Sequence, residues 1–201
     1  MSLLLDIGTG SGLASSTGIR PYLPPLLAGA LARGDVGIDF DGTDFRFLES
    51  TAFLAAIVVL AVVAFLVERS AWRSARAQHR RARDPFDILA GLLGLGLGAL
   101  LFAGTLADNG EEIWIGLLFG PLCAALGWIA IGGLVERVRT RLEPDQAALL
   151  SAYADGAALI LAVVAVFVPP LAYLAIPAFV LLILGARRRE GQKYAGLRIL
   201  R

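Results

Sequence analysis

Residues 5–12 of this chain, LDIGTGSG, have the residue types of a nucleotide-binding loop. Glycines at alternate positions after a short apolar run are typical of class I S-adenosylmethionine methyltransferases and resemble a phosphate-binding loop. Residues 36–39, VGID, could then form a second strand that ends in a ribose-binding acid. Both motifs need a continuous helix after the loop and further alternating strands. Pro21, Pro24 and Pro25 interrupt that helix, and the expected lysine is Leu13, so we set the nucleotide-binding interpretation aside.

The composition indicates a membrane protein. Hydrophobic residues make up 57% of the 201 residues, charged residues 17%, and the mean hydropathy is +0.73. Residues 50–67, 88–107 and 113–135 carry no charge, 147–168 carry only Asp155, and 171–186 follow a Pro169-Pro170 break. Such runs approach the ~20 residues that a helix needs to cross a bilayer. Because lipid leaves no partner for free backbone groups, the sequence predicts an all-α helical membrane bundle.

Charge alternates between the connecting segments. Residues 69–83, 136–145 and 187–201 are basic, whereas 34–50 and 107–112 are acidic. The positive-inside rule places the basic segments in the cytoplasm. If residue 34 is outside and the amino terminus inside, residues 3–33 must also cross. The sequence then predicts six transmembrane helices with both termini cytoplasmic, a single membrane domain over 1–186 and a basic cytoplasmic tail over 187–201.

The first crossing is predicted to be broken. Thirty-one helical residues would measure about 46 Å, which is too long for one straight crossing. We expect two half-helices, about 3–17 and 22–33, joined by an irregular bend over 18–21. Broken helices of this type build substrate or ion sites in transporters. Asp6 near the start is either a helix cap or the mouth of a path. Small residues four apart predict close helix packing at Gly8, Gly12, Gly94, Gly98, Gly116 and Gly120.

Two charges lie within the predicted spans, Arg20 in the first and Asp155 in the fifth. Each is expensive if unpaired in lipid, so we expect them to face each other inside the bundle. Ser15, Ser16 and Tyr153 are expected to complete the hydrogen bonds. The pair could serve a functional site or only fix helix register, and both interpretations stay open. The candidate solute or ion site comprises Arg20, Asp155, Ser15, Ser16, Thr17 and Gly18.

Three pairs of segments match in order along the chain: 7–18 with 115–127, 60–67 with 161–168, and 85–90 with 170–175. They fit a 3+3 inverted repeat, although apolar sequence of low complexity also produces such matches by chance. Residues 12–14 (GLA), 18–24 (GIRPYLP) and 151–155 (SAYAD) resemble the bacterial multi-pass proteins of domain of unknown function 4126. A more usual member has Glu-Asp where this chain has Ala154-Asp155. The resemblance implies a membrane fold and draws attention to Arg20 and Asp155, but it implies no activity.

The functional expectation is a small transporter- or channel-like protein of the bacterial cytoplasmic membrane that holds an anionic or polar solute at the broken helix. The alternative is a non-transporting scaffold whose basic loop binds anionic lipid or a partner protein. An enzyme is not expected, because no histidine or second acid is placed to activate the serines. Membrane lipids are the expected partners, and the glycine-rich faces of the third and fourth predicted helices permit a homo-oligomer without requiring one. No nucleic acid, cofactor or metal is expected. The lipid-facing basic residues are predicted to be Arg73, Arg76, Arg80 and Arg81.

Overall fold

The computed structural model describes residues 3–75, 85–139 and 144–195, which form helices and no strand. The all-α prediction is therefore confirmed for this part of the chain. A short 3-10 helix, Arg46–Glu49, precedes the third α-helix. The α-helices in chain order are α1 (Leu3–Ile19), α2 (Leu23–Ala32), α3 (Thr51–Ala75), α4 (Pro85–Asp108), α5 (Ile113–Arg139), α6 (Pro144–Phe167), α7 (Pro169–Ala172) and α8 (Ala175–Ala195).

Four stretches of the described chain are long and apolar enough to cross a membrane. Their outward faces carry large aliphatic side chains, such as Ile160 at 67% and Leu181 at 68% exposure. Lipid can solvate contiguous apolar surface of this kind, whereas water cannot. The apolar part of α3, Thr51–Val67, and the whole of α2 are shorter. The four stretches are Ile88–Asp108, Ile113–Val135, Leu149–Phe167 and Pro169–Ala186.

The starts of three helices meet at one end of the bundle. Ile7 of α1, Ile115 of α5 and Ile176 of α8 pack on one apolar cluster, together with Phe102 and Leu106 near the end of α4. The acidic segment 107–112 joins α4 to α5 at this end. We call it the acidic end.

The helix α2 finishes at the acidic end as well. Ala28 and Ala32 pack with Val166, near the end of α6, and with Phe40 of the acidic segment 34–50. Since α1 starts and α2 finishes at the same end, the two helices form a hairpin. The prediction that residues 3–33 cross the bundle once, which would leave residue 3 at the opposite end, is wrong. The glycines and prolines of this segment indicate a bend, but they do not encode its angle.

Helix α1 packs closely against three neighbours, α4, α5 and α6. A Cβ atom added to any of the six glycines predicted to mediate packing would lie at most 3.0 Å from an atom of another helix. Because these neighbours belong to the same chain, Gly94, Gly98, Gly116 and Gly120 are used in packing within the bundle and do not offer a surface for a second copy. The pairs are Gly8 with Pro169, Gly12 with Ala165, Gly94 with Thr17, Gly98 with Ala124, Gly116 with Ala103 and Gly120 with Ala99.

The first match of the predicted inverted repeat does not fit the helix directions. It pairs residues 7–18 with 115–127, which lie in α1 and α5. These helices both start at the acidic end and run in the same direction, whereas an inverted repeat requires matched helices to run in opposite directions. The second match, 60–67 with 161–168, does join helices of opposite direction, since α3 starts and α6 finishes at the acidic end. The repeat is therefore not confirmed.

Residues 33–50 cover the acidic end between α2 and α3. Phe40 and Leu48 are fully buried beneath this segment. Its turns use Gly37 and Gly42, whose φ angles of 79° and 77° favour glycine. Arg33 fixes the exit of α2, because its guanidinium donates to the Thr51 hydroxyl at 2.6 Å. The segment thus ties α2 to the start of α3.

Candidate functional site

The bend between α1 and α2 is built by the local sequence. The Arg20 backbone N–H donates to the Ser16 carbonyl at 3.1 Å and closes the last turn of α1. Pro21 has no N–H with which to continue the helix. Pro24 and Pro25 then occupy the first turn of α2, where a missing N–H leaves no internal bond unmade. The chain therefore leaves one helix at Arg20 and enters the next at Leu23.

The Arg20 side chain joins this bend to α6. Its Nε lies 2.5 Å from Asp155 Oδ1. A terminal nitrogen donates to the Ser151 hydroxyl and lies 3.4 Å from the Ser151 carbonyl oxygen. The other terminal nitrogen lies 3.4 Å from the Tyr22 hydroxyl. The guanidinium fork is thus shared among a carboxylate, a serine and a tyrosine, and the predicted pairing of Arg20 with Asp155 is present.

The pair lies deep in the bundle but is not sealed. At 1.5 Å per residue, the 17 residues of α1 carry the bend about 25 Å from the acidic end. The Arg20 side chain is 15% exposed and the Asp155 side chain 38%. Guanidinium groups bind carboxylate and phosphate oxygens in forked geometry. Arg20 therefore has the donor chemistry for an anionic group, and its carboxylate partner is the more accessible member of the pair.

The other predicted site residues lie close to the bend with their polar groups turned elsewhere. The Ser16 and Thr17 hydroxyls donate to the Leu13 carbonyl at 2.8 and 2.7 Å. Ser15 is fully buried, and its Oγ has no hydrogen-bond partner in the described part of the chain. A Cβ atom on Gly18 would collide with the Ala124 carbonyl oxygen. These residues pack α1 against its neighbours instead of completing the Arg20 site.

The expected hydrogen-bond partners of Arg20 need correction. Tyr153 is 75% exposed and lies on the outer face of α6, whereas Ser151 contacts the guanidinium. Ser151 precedes Asp155 by four residues, and residues i and i+4 share one face of a helix. That spacing could have identified Ser151 from the sequence. Tyr22 had no comparable signal, because its place depends on the reversal of the chain at the bend.

The lipid-facing basic residues cannot be placed in the structure. Arg76, Arg80 and Arg81 lie outside the described residues. Arg73 belongs to α3, but its side chain is also outside the description. Their contact with lipid stays a prediction.

A second polar group, which the sequence analysis did not identify, lies at the acidic end. One carboxylate oxygen from each of Asp39, Asp41 and Glu49 lies within 4.8 Å of the others, a separation at which oxygens could hold a metal ion. Arg46 Nε lies 2.9 Å from Asp41 Oδ1 and compensates part of the charge. Burial, and then the neighbouring Asp41 carboxyl, raise the pKa of Glu49. The group borders an open cleft of about 640 Å³.

The apolar helices define the class: over the described residues the chain is an all-helical membrane protein, with the Arg20–Asp155 ion pair between the bend and α6. The family model described as domain of unknown function (DUF4126) matches residues 7–189, and the chain belongs to this family. The match includes α1, the bend and Asp155. No curated protein and no solved structure matches the chain.

Proposed function

We propose that the protein is a small transporter- or channel-like protein whose solute site is the bend between α1 and α2. The observation that carries the proposal is a helix hairpin that ends inside the bundle at a partly exposed Arg20–Asp155 pair. Irregular backbone at membrane depth is tolerated where it lines a wet cavity or is buried in protein. Interrupted helices are a common place for solute sites in transporters.

The proposed topology has five crossings, α3, α4, α5, α6 and α8, together with the α1–α2 hairpin, which re-enters from the acidic end. The basic segments then face the cytoplasm of a bacterial inner membrane. Residue 3 lies outside in this arrangement and α8 runs inward. Leu149–Phe167 places Asp155 about 9 Å from the inner limit of that apolar stretch, so the bend lies in the inner half of the bilayer.

The proposed solute is a small anion or a polar molecule with an anionic group. It would replace the Asp155 carboxylate on the Arg20 guanidinium while Ser151 and Tyr22 remain as neutral partners. Leaving a buried charge without a partner is strongly unfavourable. Separation of the pair is therefore expected to coincide with arrival of the solute, whose anionic group replaces the carboxylate; protonation of Asp155 would favour this exchange but would not by itself supply Arg20 with a new partner.

Cysteine labelling tests whether water reaches the bend. In a Cys123→Ala background, we expect a cysteine at Ser151 to react with a charged, membrane-impermeant thiol reagent added on the basic side of proteoliposomes. A cysteine at Ile160 is the matched control on the same helix. Ile160 is 67% exposed on the bundle but faces lipid in the proposed topology, so it should stay unlabelled. Complete protection of Ser151→Cys from both sides would refute a water-accessible solute site.

A scaffold role is the second proposal, and it rests on the six arginines in residues 69–83. Each basic residue near an anionic membrane surface contributes about 1 kcal/mol of attraction. Replacing Arg73, Arg76, Arg80 and Arg81 by glutamine should then remove the recruitment of anionic lipid around the protein, as measured by native mass spectrometry. An unchanged lipid count would refute this role.

A further inference from the structure

Asp6 is a deeply buried acid that the proposed solute site does not use. It lies in the first turn of α1 and is 3% exposed. Its Oδ2 atom has no hydrogen-bond partner among the described residues. Arg20 is 14 residues further along the same helix, about 21 Å away. Asp6 therefore belongs to a separate polar location at the acidic end.

The groups around Asp6 are mostly acidic. Glu111, from the turn between α4 and α5, acts on it electrostatically, and Asp6 acts on Asp108 at the end of α4 and on Tyr173 between α7 and α8. The opposite charge acting on Asp6 is that of the amino-terminal amine. From α5 and α8, the apolar side chains Ile115 and Ile176 pack on the same cluster as Ile7, the residue after Asp6.

The tyrosine does not satisfy the carboxyl group. The Tyr173 hydroxyl donates its single hydrogen to the Leu4 carbonyl oxygen. A carboxylate that is removed from water and receives no compensating hydrogen bond is strongly disfavoured relative to the neutral acid. The Glu111 carboxylate also disfavours its ionisation, whereas the positive charge of the amino terminus acts in the opposite direction. The geometry therefore favours an Asp6 that carries a proton.

Solvent lies close to this buried acid. Asp108 is exposed and Glu111 is half-buried, so both acids can exchange protons with water. Ionisable residues within membrane proteins commonly form proton relays. Both acids interact electrostatically with Asp6, and they are more accessible than Asp6 is.

We propose that Asp6 is a proton-binding site, loaded from the acidic end through Asp108 and Glu111. The proton moves from water to the Asp6 carboxylate and returns by the same route. Because this site is distinct from the solute site, its test does not depend on the identity of any solute. Failure of the proton site would leave the labelling result at Ser151 unaffected.

Infrared spectroscopy of the full chain in lipid vesicles tests the proposal. At pH 7 the protein should show a protonated carboxyl C=O band that shifts in D2O and is missing in Asp6→Asn. Asp155→Asn is the matched control and should retain the band. Asp6→Glu should move the band to another frequency without abolishing it, which separates loss of the acid from loss of the fold.

A change at Glu111 provides a second test, which distinguishes an Asp6 that binds a proton from an Asp6 that only stabilises the fold. Removing a nearby negative charge favours ionisation, so Glu111→Gln should move the titration of the Asp6 band to lower pH. If the wild-type protein lacks the band at pH 7, Asp6 is ionised and paired with a cation such as the amino-terminal amine. That result would overturn the proposal. Persistence of an unchanged band in Asp6→Asn would overturn it equally.

Discussion

Replacing either Arg20 or Asp155 should lower the free energy of unfolding by more than a typical substitution at the protein surface does. Breaking a fully buried ion pair costs about 3–5 kcal/mol because the remaining charge is left uncompensated. The Asp155 side chain is 38% exposed, so partial hydration reduces the effect. We expect the free energy of unfolding to fall by about 2 kcal/mol in Asp155→Asn, because the asparagine still offers Arg20 an acceptor. It should fall by about 2–3 kcal/mol in Arg20→Met, because this change also removes the contacts of the guanidinium with Ser151 and Tyr22.

A double-mutant cycle isolates the pair itself. Reversible unfolding in mixed micelles, followed by tryptophan fluorescence, should give a coupling energy of about 1–2 kcal/mol between Arg20→Met and Asp155→Asn. The exposed pair Arg46–Asp41, whose side chains are 75% and 60% exposed, is the matched control. Its coupling should stay below about 1 kcal/mol. Additivity of the Arg20 and Asp155 changes within about 0.5 kcal/mol would refute the reasoning that the pair is a buried, interacting unit.

Two further predictions follow from single positions. Gly18→Ala should destabilise the bundle by about 1–3 kcal/mol, because its Cβ would collide with the Ala124 backbone, whereas Gly96→Ala should be neutral or stabilising, because that Cβ meets nothing within 4 Å. The same unfolding assay compares them, and equal effects would contradict the packing explanation. The raised pKa of Glu49 means that the folded state holds this proton more tightly than the unfolded state. Stability should therefore fall as pH rises above 4.5, the ordinary pKa of a glutamate, until the folded-state pKa is passed. Glu49→Gln should reduce that fall in a thermal unfolding series, and a slope identical to wild type would count against it.

The length and position of most helices could be predicted because each apolar run is bounded by charge. The uncharged run over 113–135 lies within α5, and the Pro169-Pro170 break falls where α6 gives way to α7. The direction of α1 could not be predicted in this way. A segment of 31 residues with a central bend fits either one long crossing or a hairpin, and only contacts at its two ends distinguish them. In those contacts Ile7 and Ile115 pack on one apolar cluster, and Ala32 and Val166 share another. They are long-range and leave no periodic signal.

The candidate site likewise has residues whose contacts could be predicted from the sequence and residues whose contacts could not. Arg20 and Asp155 could be paired from the sequence because isolated charges in apolar segments need partners. Tyr22 could not be assigned, since its hydroxyl reaches Arg20 only after the chain reverses. Ser16 and Thr17 donate to the Leu13 carbonyl instead of to Arg20, because a hydroxyl inside a helix can bond to a carbonyl one turn earlier. Hydroxyl content alone does not distinguish that local bond from a solute contact.

The distribution of polarity across the bundle explains why the hairpin lies at its centre. From Asp6 to Gly18, every residue of α1 except Ile7 is buried, and most of these residues are glycine, alanine, serine or threonine. In contrast, α3 exposes large aliphatic side chains such as Val59 and Leu66. Lipid solvates the aliphatic face of α3 without penalty. It offers no hydrogen-bond partner to hydroxyl groups, or to the backbone groups that a glycine leaves uncovered. The helix that is rich in glycine and hydroxyl side chains is therefore enclosed by helices with larger aliphatic side chains, and its small residues let α4, α5 and α6 approach closely enough to exclude lipid. This enclosure also brings the end of α1, with Arg20, against Asp155 in the interior.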